Sequence, residues 1–226
     1  MGEFQTEEGC KRPMKSFHHR KAAGRELAKA LVSYAEAPNT QVIALPRGGV
    51  VVGEVVSTTL HLPLDIVSPR KIGAPFNPEL AIGAITETGE GFFSTRLIKE
   101  LGISKEYLDK TVAEEKVKAK WRLDHYRGGR PPRDLEGQVI LIIDDGIATG
   151  STMHAAIQTV RTEKASCIIV AVPVAPLDTV IRLEKEVDKV VCLYSPTVFF
   201  AVGQFYEEFE QTTDDEVISL LNSKMG

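Results

Sequence analysis

Val139-Ile140-Leu141-Ile142-Ile143-Asp144-Asp145-Gly146-Ile147-Ala148-Thr149-Gly150-Ser151-Thr152 is the stretch on which the reading of the whole chain turns. Five branched apolar residues in a row suit a strand buried on both faces of a parallel sheet, and the two carboxylates after them put charge at its C-terminal end. Gly146, Gly150, Thr149 and Thr152, followed by Met153, Ala156, Ile157 and Val160 at helical spacing, predict a small-residue loop that opens a helix. Such a loop aims several backbone N–H groups in one direction and adds the positive end of a helix dipole, which makes an anion cradle. Asp144 and Asp145 beside it suit the hydrogen bonds of vicinal hydroxyls, or Mg²⁺ held through water. A nucleoside-triphosphate loop is excluded, because its fingerprint has a Lys before the final hydroxyl residue and this chain has Ser151 there.

An apolar strand, two acids and a loop ending Thr-Gly-Ser-Thr resemble the phosphoribosyl-pyrophosphate loop of the type I phosphoribosyltransferases. An ordinary strand-to-helix turn would account for Asp145-Gly146 and leave the rest of the pattern unexplained. The resemblance implies that Asp144 and Asp145 contact the ribose 2′ and 3′ hydroxyls. It also implies that Ala148, Thr149, Gly150, Ser151 and Thr152 wrap the 5′-phosphate, with Gly146 and Ile147 leading into that loop.

Upstream, Gln41 to Leu45 predicts a short strand, followed by Pro46-Arg47-Gly48-Gly49 and an apolar run whose return to Leu64–Val67 makes a βαβ unit, with helix over Val50 to Thr59. Gly48 and Gly49 let backbone pass close to a ligand, and Arg47 adds a fixed charge. In the type I family a basic residue and glycine at this point bind pyrophosphate, and Arg47, Gly48 and Gly49 match that pattern. A dinucleotide fingerprint built on Gly48, Gly49, Gly53 and Asp65 has the wrong spacing and its acid in mid-strand. Residues 68–79 read as irregular, and by resemblance Arg70 and Lys71 within them reach the pyrophosphate; the alternative is a solvated basic pair.

The rest follows from periodicity. Arg20 to Glu36 predicts an amphipathic helix, Leu80 to Thr86 with Gly91 to Ser94 a hairpin, and Cys167–Val174 and Lys189–Tyr194 two more strands around a helix at Leu177–Glu184. Thr95 to Tyr126 is a charged helical insertion that reads as mostly solvated, with Ser104 as N-cap and pairs Glu106–Lys110 and Glu114–Lys118. Residues 126–134 hold three arginines in either a lid or a polar linker. From Ser195 an aromatic segment, Phe199 and Phe200 above all, offers rings to stack on a planar substrate, and by resemblance forms a hood with the N-terminal segment; core packing is the competing use. Thr213 to Glu216 caps a last helix.

Composition sets the bounds. A chain of 226 residues suits one α/β domain, a parallel sheet flanked by helices, here residues 17–226 behind an expected flexible tail at 1–16 whose polar, unpatterned sequence is compatible with a part of vector origin. Cys10, Cys167 and Cys192 show no pairing or metal spacing, and the last two fall in strands expected to be buried; with no bilayer-length apolar run and no signal-peptide core, the expectation is a cytoplasmic protein. A net charge of −4 supplies no field for nucleic acid, and the five histidines form no zinc set.

Together these features imply, by resemblance, a Mg²⁺-dependent transfer of the phosphoribosyl group from phosphoribosyl pyrophosphate to a nitrogenous small-molecule acceptor by a homodimer. The 6-oxopurine branch has an Asp where this chain has Ala148, so the acceptor stays open. Two other classes fit the same residues: a regulator that binds the activated sugar without turnover, and a hydrolase that uses water as acceptor.

Overall fold

The structure, a computed structural model, describes residues 16–223, so the tail reading and Cys10 lie outside the described residues but for Ser16. In chain order the elements are α1 (Arg20–Ala30), β1 (Thr40–Ala44), α2 (Gly48–Leu60), β2 (Leu64–Ile66), β3 (Arg70–Ala74), β4 (Asn77–Ile85), β5 (Gly91–Phe93), α3 (Thr95–Glu100) and α4 (Lys105–Arg127). They continue with β6 (Val139–Ile143), α5 (Ser151–Thr162), β7 (Cys167–Val174), α6 (Leu177–Leu183), β8 (Lys189–Tyr194) and α7 (Asp214–Asn222). No helix among the described residues is long and apolar enough to cross a membrane.

The apolar runs make one parallel sheet of five strands in the order β2-β1-β6-β7-β8. Side chains alternate across it. Val42, Leu141, Ile143 and Ile169 go to the face under Leu27 of α1, Val52 and Val56 of α2 and Leu221 of α7, while Ile43, Ile140, Ile142 and Val170 go under Met153 and Ile157 of α5 and Leu183 of α6. Both faces are therefore dry, which is why the strands carry almost no polar residue. The first helix is shorter than its periodicity predicts: α1 stops at Ala30 and a 3₁₀ turn at Val32–Tyr34 follows.

Residues 68–79, read as irregular, instead hold β3 and the start of β4, which with β5 form a separate antiparallel sheet. Prolines and glycines are tolerated there because the pairing shifts register at Ile72, Gly73 and Ala74, and Gly73 comes so close to Pro78 that a Cβ would lie 2.5 Å from its carbonyl oxygen. The insertion is mostly exposed, as it reads, but one side of it is packed. Leu97 and Ile98 of α3 and Tyr107, Leu108 and Val112 of α4 cover Ile72, Ile82 and Ile85, giving the small sheet a core of its own. Ser104 does cap α4, accepting from the Tyr107 N–H at 3.2 Å, while Lys118 pairs with Glu115 in place of Glu114.

The arginines of residues 126–134 are spent on the edge of the main sheet, which favours the linker over the lid. Arg127 grips Asp65 of β2 with two nitrogens at 3.0 and 2.8 Å, Arg130 donates to the carbonyls of Leu64 and Leu221, and Arg133 donates to the Ile66 carbonyl at 2.9 Å. An edge strand's unpaired carbonyls invite another chain, and side chains that occupy them prevent it. Cys167 and Cys192 are free but only half-buried, because one opens β7 and the other lies on the outer strand β8.

Candidate active site

Strand register assembles the site. Ala44 of β1 lies beside Ile143 of β6, and the Leu45 N–H donates to the Ile143 carbonyl at 2.9 Å, so the Pro46–Gly49 turn and the acid pair leave the sheet next to each other. Their backbones nearly touch. A Cβ on Gly49 would lie 2.9 Å from the Asp144 Cα, and one on Gly48 would lie 1.9 Å from Asp145 Oδ2. The Pro46–Arg47 peptide bond is cis, and the Arg47 side chain comes within 3.5 Å of Asp214 at the start of α7.

Arg20, the first residue of α1, is a site residue that sequence reasoning missed. Its Nε donates to Asp145 Oδ2 at 2.7 Å, one terminal nitrogen donates to the Glu210 carbonyl at 2.6 Å, and its guanidinium lies 3.8 Å from the centre of the Phe209 ring. With the partners 125 positions apart, an arginine at a helix start carries no sequence signal of this contact. Tyr206 adds a second fastening, its hydroxyl donating to the Asp145 carbonyl at 2.6 Å, and burial pushes that phenol well above its ordinary pKa.

Asp144 is less well served. Its Oδ1 accepts from the Asp145 N–H at 2.9 Å, while burial first and the neighbouring Asp145 charge second hold its carboxyl well above the usual carboxylate range. Negative charge is in surplus here.

Beyond the acids, Gly146 packs against Val202, and the Ile147 N–H donates to the Val174 carbonyl at 2.9 Å. The Thr179 hydroxyl donates to the Ala148 carbonyl at 3.0 Å. Gly150, in the left-handed region at φ +83°, is the N-cap of α5 and brings no side chain to the first-turn N–H groups. The loop is thus anchored from behind, with Ala148, Thr149 and Thr152 exposed and the Thr149 and Ser151 hydroxyls 3.3 Å apart. One turn into α5, His154 lies 2.6 Å from Glu186 and stacks on Phe92 of β5 at 4.7 Å, which ties the root of the loop to the small sheet.

Other expected site residues are placed differently. Phe199 packs on Phe205 at 5.3 Å, whereas Phe200 is 86% exposed. Arg70 and Lys71 open β3, where Arg70 donates to Glu115 of α4 at 2.8 Å, and both line a cleft between β3 and α4. Among the described residues no three His, Cys, Asp or Glu side chains are placed to hold a metal ion. Two adjacent carboxylates, one paired with Arg20 and the other burdened by its neighbour's charge, do fit Mg²⁺ of the kind that keeps its waters and takes remaining ligands from substrate phosphates.

The chain matches the family model described as phosphoribosyl transferase domain over residues 14–210. It belongs to the phosphoribosyl transferase family. This is the family whose type I loop residues 139–152 resemble. A relative from Mycobacterium tuberculosis (strain ATCC 25618 / H37Rv), "Putative phosphoribosyl transferase Rv0571c", is 41% identical over 209 residues, which are 92% of this chain and 47% of that protein. The chain therefore spans about half the length of the curated relatives it matches. The crystal structure of TT1426 from Thermus thermophilus aligns with a TM-score of 0.78 at 38% identity, covering 93% of this phosphoribosyl transferase chain and 100% of that one.

One prediction arises directly from the close contact of the two loops. Gly48→Ala puts a methyl group where Asp145 Oδ2 and Arg20 Nε now meet, so it should break their ion pair and, if the site takes a ribose phosphate, weaken its binding by about tenfold or more, 1.4 kcal/mol per decade. Calorimetric titration of wild type and variant reads this directly, and equal affinities would contradict the packing.

Proposed function

We propose that this chain binds phosphoribosyl pyrophosphate at the carboxyl edge of its parallel sheet and transfers the 5-phosphoribosyl group to a nitrogenous acceptor with release of pyrophosphate. The observation that carries the reading is the side-by-side exit of the Arg47–Gly49 turn and the Asp144–Thr152 loop from β1 and β6. Ligands of open α/β sheets sit outside the carboxyl ends of the strands, where these segments meet.

In the transfer the bond from C1 of ribose to the diphosphate oxygen breaks, a bond from C1 to an acceptor nitrogen forms, and the acceptor gives up a proton. The ring passes through a cation-like state. Asp144 and Asp145 hold the two ribose hydroxyls and favour the positive ring, while the loop Gly146–Thr152 and the first turn of α5 grip the 5′-phosphate. Arg47 and the backbone at Gly48 and Gly49 receive the leaving diphosphate, with Arg20 keeping Asp145 aimed. Mg²⁺, when bound beside the two acids, supplies neutralising charge to the diphosphate. Arg70 and Lys71, engaged beside α4, stand outside this assignment. Ala148 offers no group to move a proton on a 6-oxopurine, which points to another class of acceptor.

Thermal unfolding in the presence of phosphoribosyl pyrophosphate tests the proposal. At about 100 times the Kd a ligand of the native state adds about 2.7 kcal/mol, and the shift should need Mg²⁺ and vanish when Asp144→Asn is combined with Asp145→Asn. Pyrophosphate release on adding one of a panel of bases then establishes transfer. No shift in the wild type, or release that ignores the base, would overturn it.

A further inference from the structure

The flank of α4 carries a groove that the transfer reaction leaves unused. Two adjoining clefts of about 470 and 370 Å³ share Arg70 and Arg122; the first adds Glu115, the second Val117, Lys118 and Trp121. Each has the size of a small-molecule site, about 300–1,000 Å³.

The charges in it do not balance. Three cationic side chains, Arg70, Lys118 and Arg122, line the groove with Glu115, and that carboxylate already takes Arg70 on one oxygen at 2.8 Å and Lys118 on the other at 2.6 Å. Arg122 is half-buried and, among the described residues, makes no hydrogen bond or ion pair; it acts only at longer range on Tyr126 and Asp214. A guanidinium in that state, among other cations, lacks an anion, and its planar fork matches phosphate. Beside it Trp121 is 64% exposed and backed on one side by the His125 ring, 5.1 Å away and within 6° of parallel, so the indole is held as a flat platform.

Phosphate for the fork and a planar ring for the indole are the two parts of one ligand class. We infer that the α4 groove binds a mononucleotide, its base stacked on Trp121 and its phosphate held by Arg122 with Arg70. A long polyanion is the weaker fit, since the chain as a whole carries −4. This site makes no use of Asp144, Asp145 or the loop after them, so it stands whether or not the transfer reaction does.

Trp121 is the only tryptophan in the chain, so its fluorescence reports on this groove. Titration with AMP or GMP should quench it saturably, adenosine should bind more weakly, and Arg122→Ala should raise the dissociation constant at least about tenfold. Asp144→Asn with Asp145→Asn, which disables the proposed transfer site, should leave the titration unchanged. By calorimetry, Trp121→Phe should retain binding and Trp121→Ala lose it. Quenching that never saturates, that falls with the acid-pair variant but not with Arg122→Ala, or that appears only with an oligonucleotide would overturn the inference. The thermal shift with phosphoribosyl pyrophosphate is read in a different site, so the two readings fail separately.

Discussion

Asp144→Asn should make the protein more stable at neutral pH and remove its transfer activity. Burial and the Asp145 charge hold the Asp144 carboxyl above its ordinary range, so the folded state binds that proton more tightly than the unfolded chain does. Ionised, the group costs stability, about 1.4 kcal/mol for each unit by which its pKa is raised. Asn keeps the acceptor for the Asp145 N–H and drops the charge. Unfolding without ligand should show a gain of at least about 1 kcal/mol, or about 2–4 °C in Tm for a chain of this size. The sign with pH is fixed: wild-type stability recovers as pH falls through the raised pKa toward that of an ordinary Asp, and the advantage of Asn closes over the same range. Activity should move the other way, because the carboxylate that burdens the fold is the one proposed to hold the ribose, and a loss of at least about 100-fold, near 2.7 kcal/mol, is expected in pyrophosphate release. A variant that is less stable, or one that still turns over, would remove Asp144 from the site.

Arg133→Met should be the costliest single change on the surface side of the sheet. The side chain is 6% exposed and reaches Glu87 and Glu163, each at 2.5 Å, besides the Ile66 carbonyl. The attraction of those two acids outweighs the burial that would discharge the guanidinium, and its pKa is raised. Removing the cation leaves Glu87, itself 8% exposed, as a buried charge without its partner, for which about 3–5 kcal/mol is the usual loss. An exposed pair such as Lys164–Glu136 should cost no more than about 1 kcal/mol. Denaturant unfolding of Arg133→Met, and of Arg133→Met together with Glu87→Gln and Glu163→Gln, checks this; the triple variant should recover much of the loss, and a single-variant loss under about 1 kcal/mol would contradict the burial.

What was legible in the sequence was what neighbours in the chain decide. A strand buried on both faces admits little but branched apolar residues, so Val139–Ile143 announced itself, and the acids and glycines after it could be assigned to an edge and a turn. The βαβ return from Gln41 to Leu64 was legible for the same reason, even though its helix is rich in valine. Contacts set by the fold were not. Arg20 and Asp145 share no local pattern, and Arg127, Arg130 and Arg133 look alike whether they grip an edge strand or face water. The small sheet was missed at Arg70–Ala74 because its prolines and glycines serve a shift of register, which only the partner strand reveals. Phe199 and Phe200 are adjacent and alike, yet one packs inward and the other faces out.

The joining of the two ends of the fold bears on how the protein is made. Phe17 pairs with Tyr206, the Phe17 N–H donates to the Phe205 carbonyl at 2.8 Å, and the Glu207 and Glu208 N–H groups donate back to Phe17 and His18 at 2.9 Å. Arg20, held by Phe209 and Glu210, is what fixes Asp145. A nascent chain that has released everything up to the last strand therefore still lacks this brace on its acid pair, which forms only when the stretch around residue 210 has left the ribosome and folded back over the start.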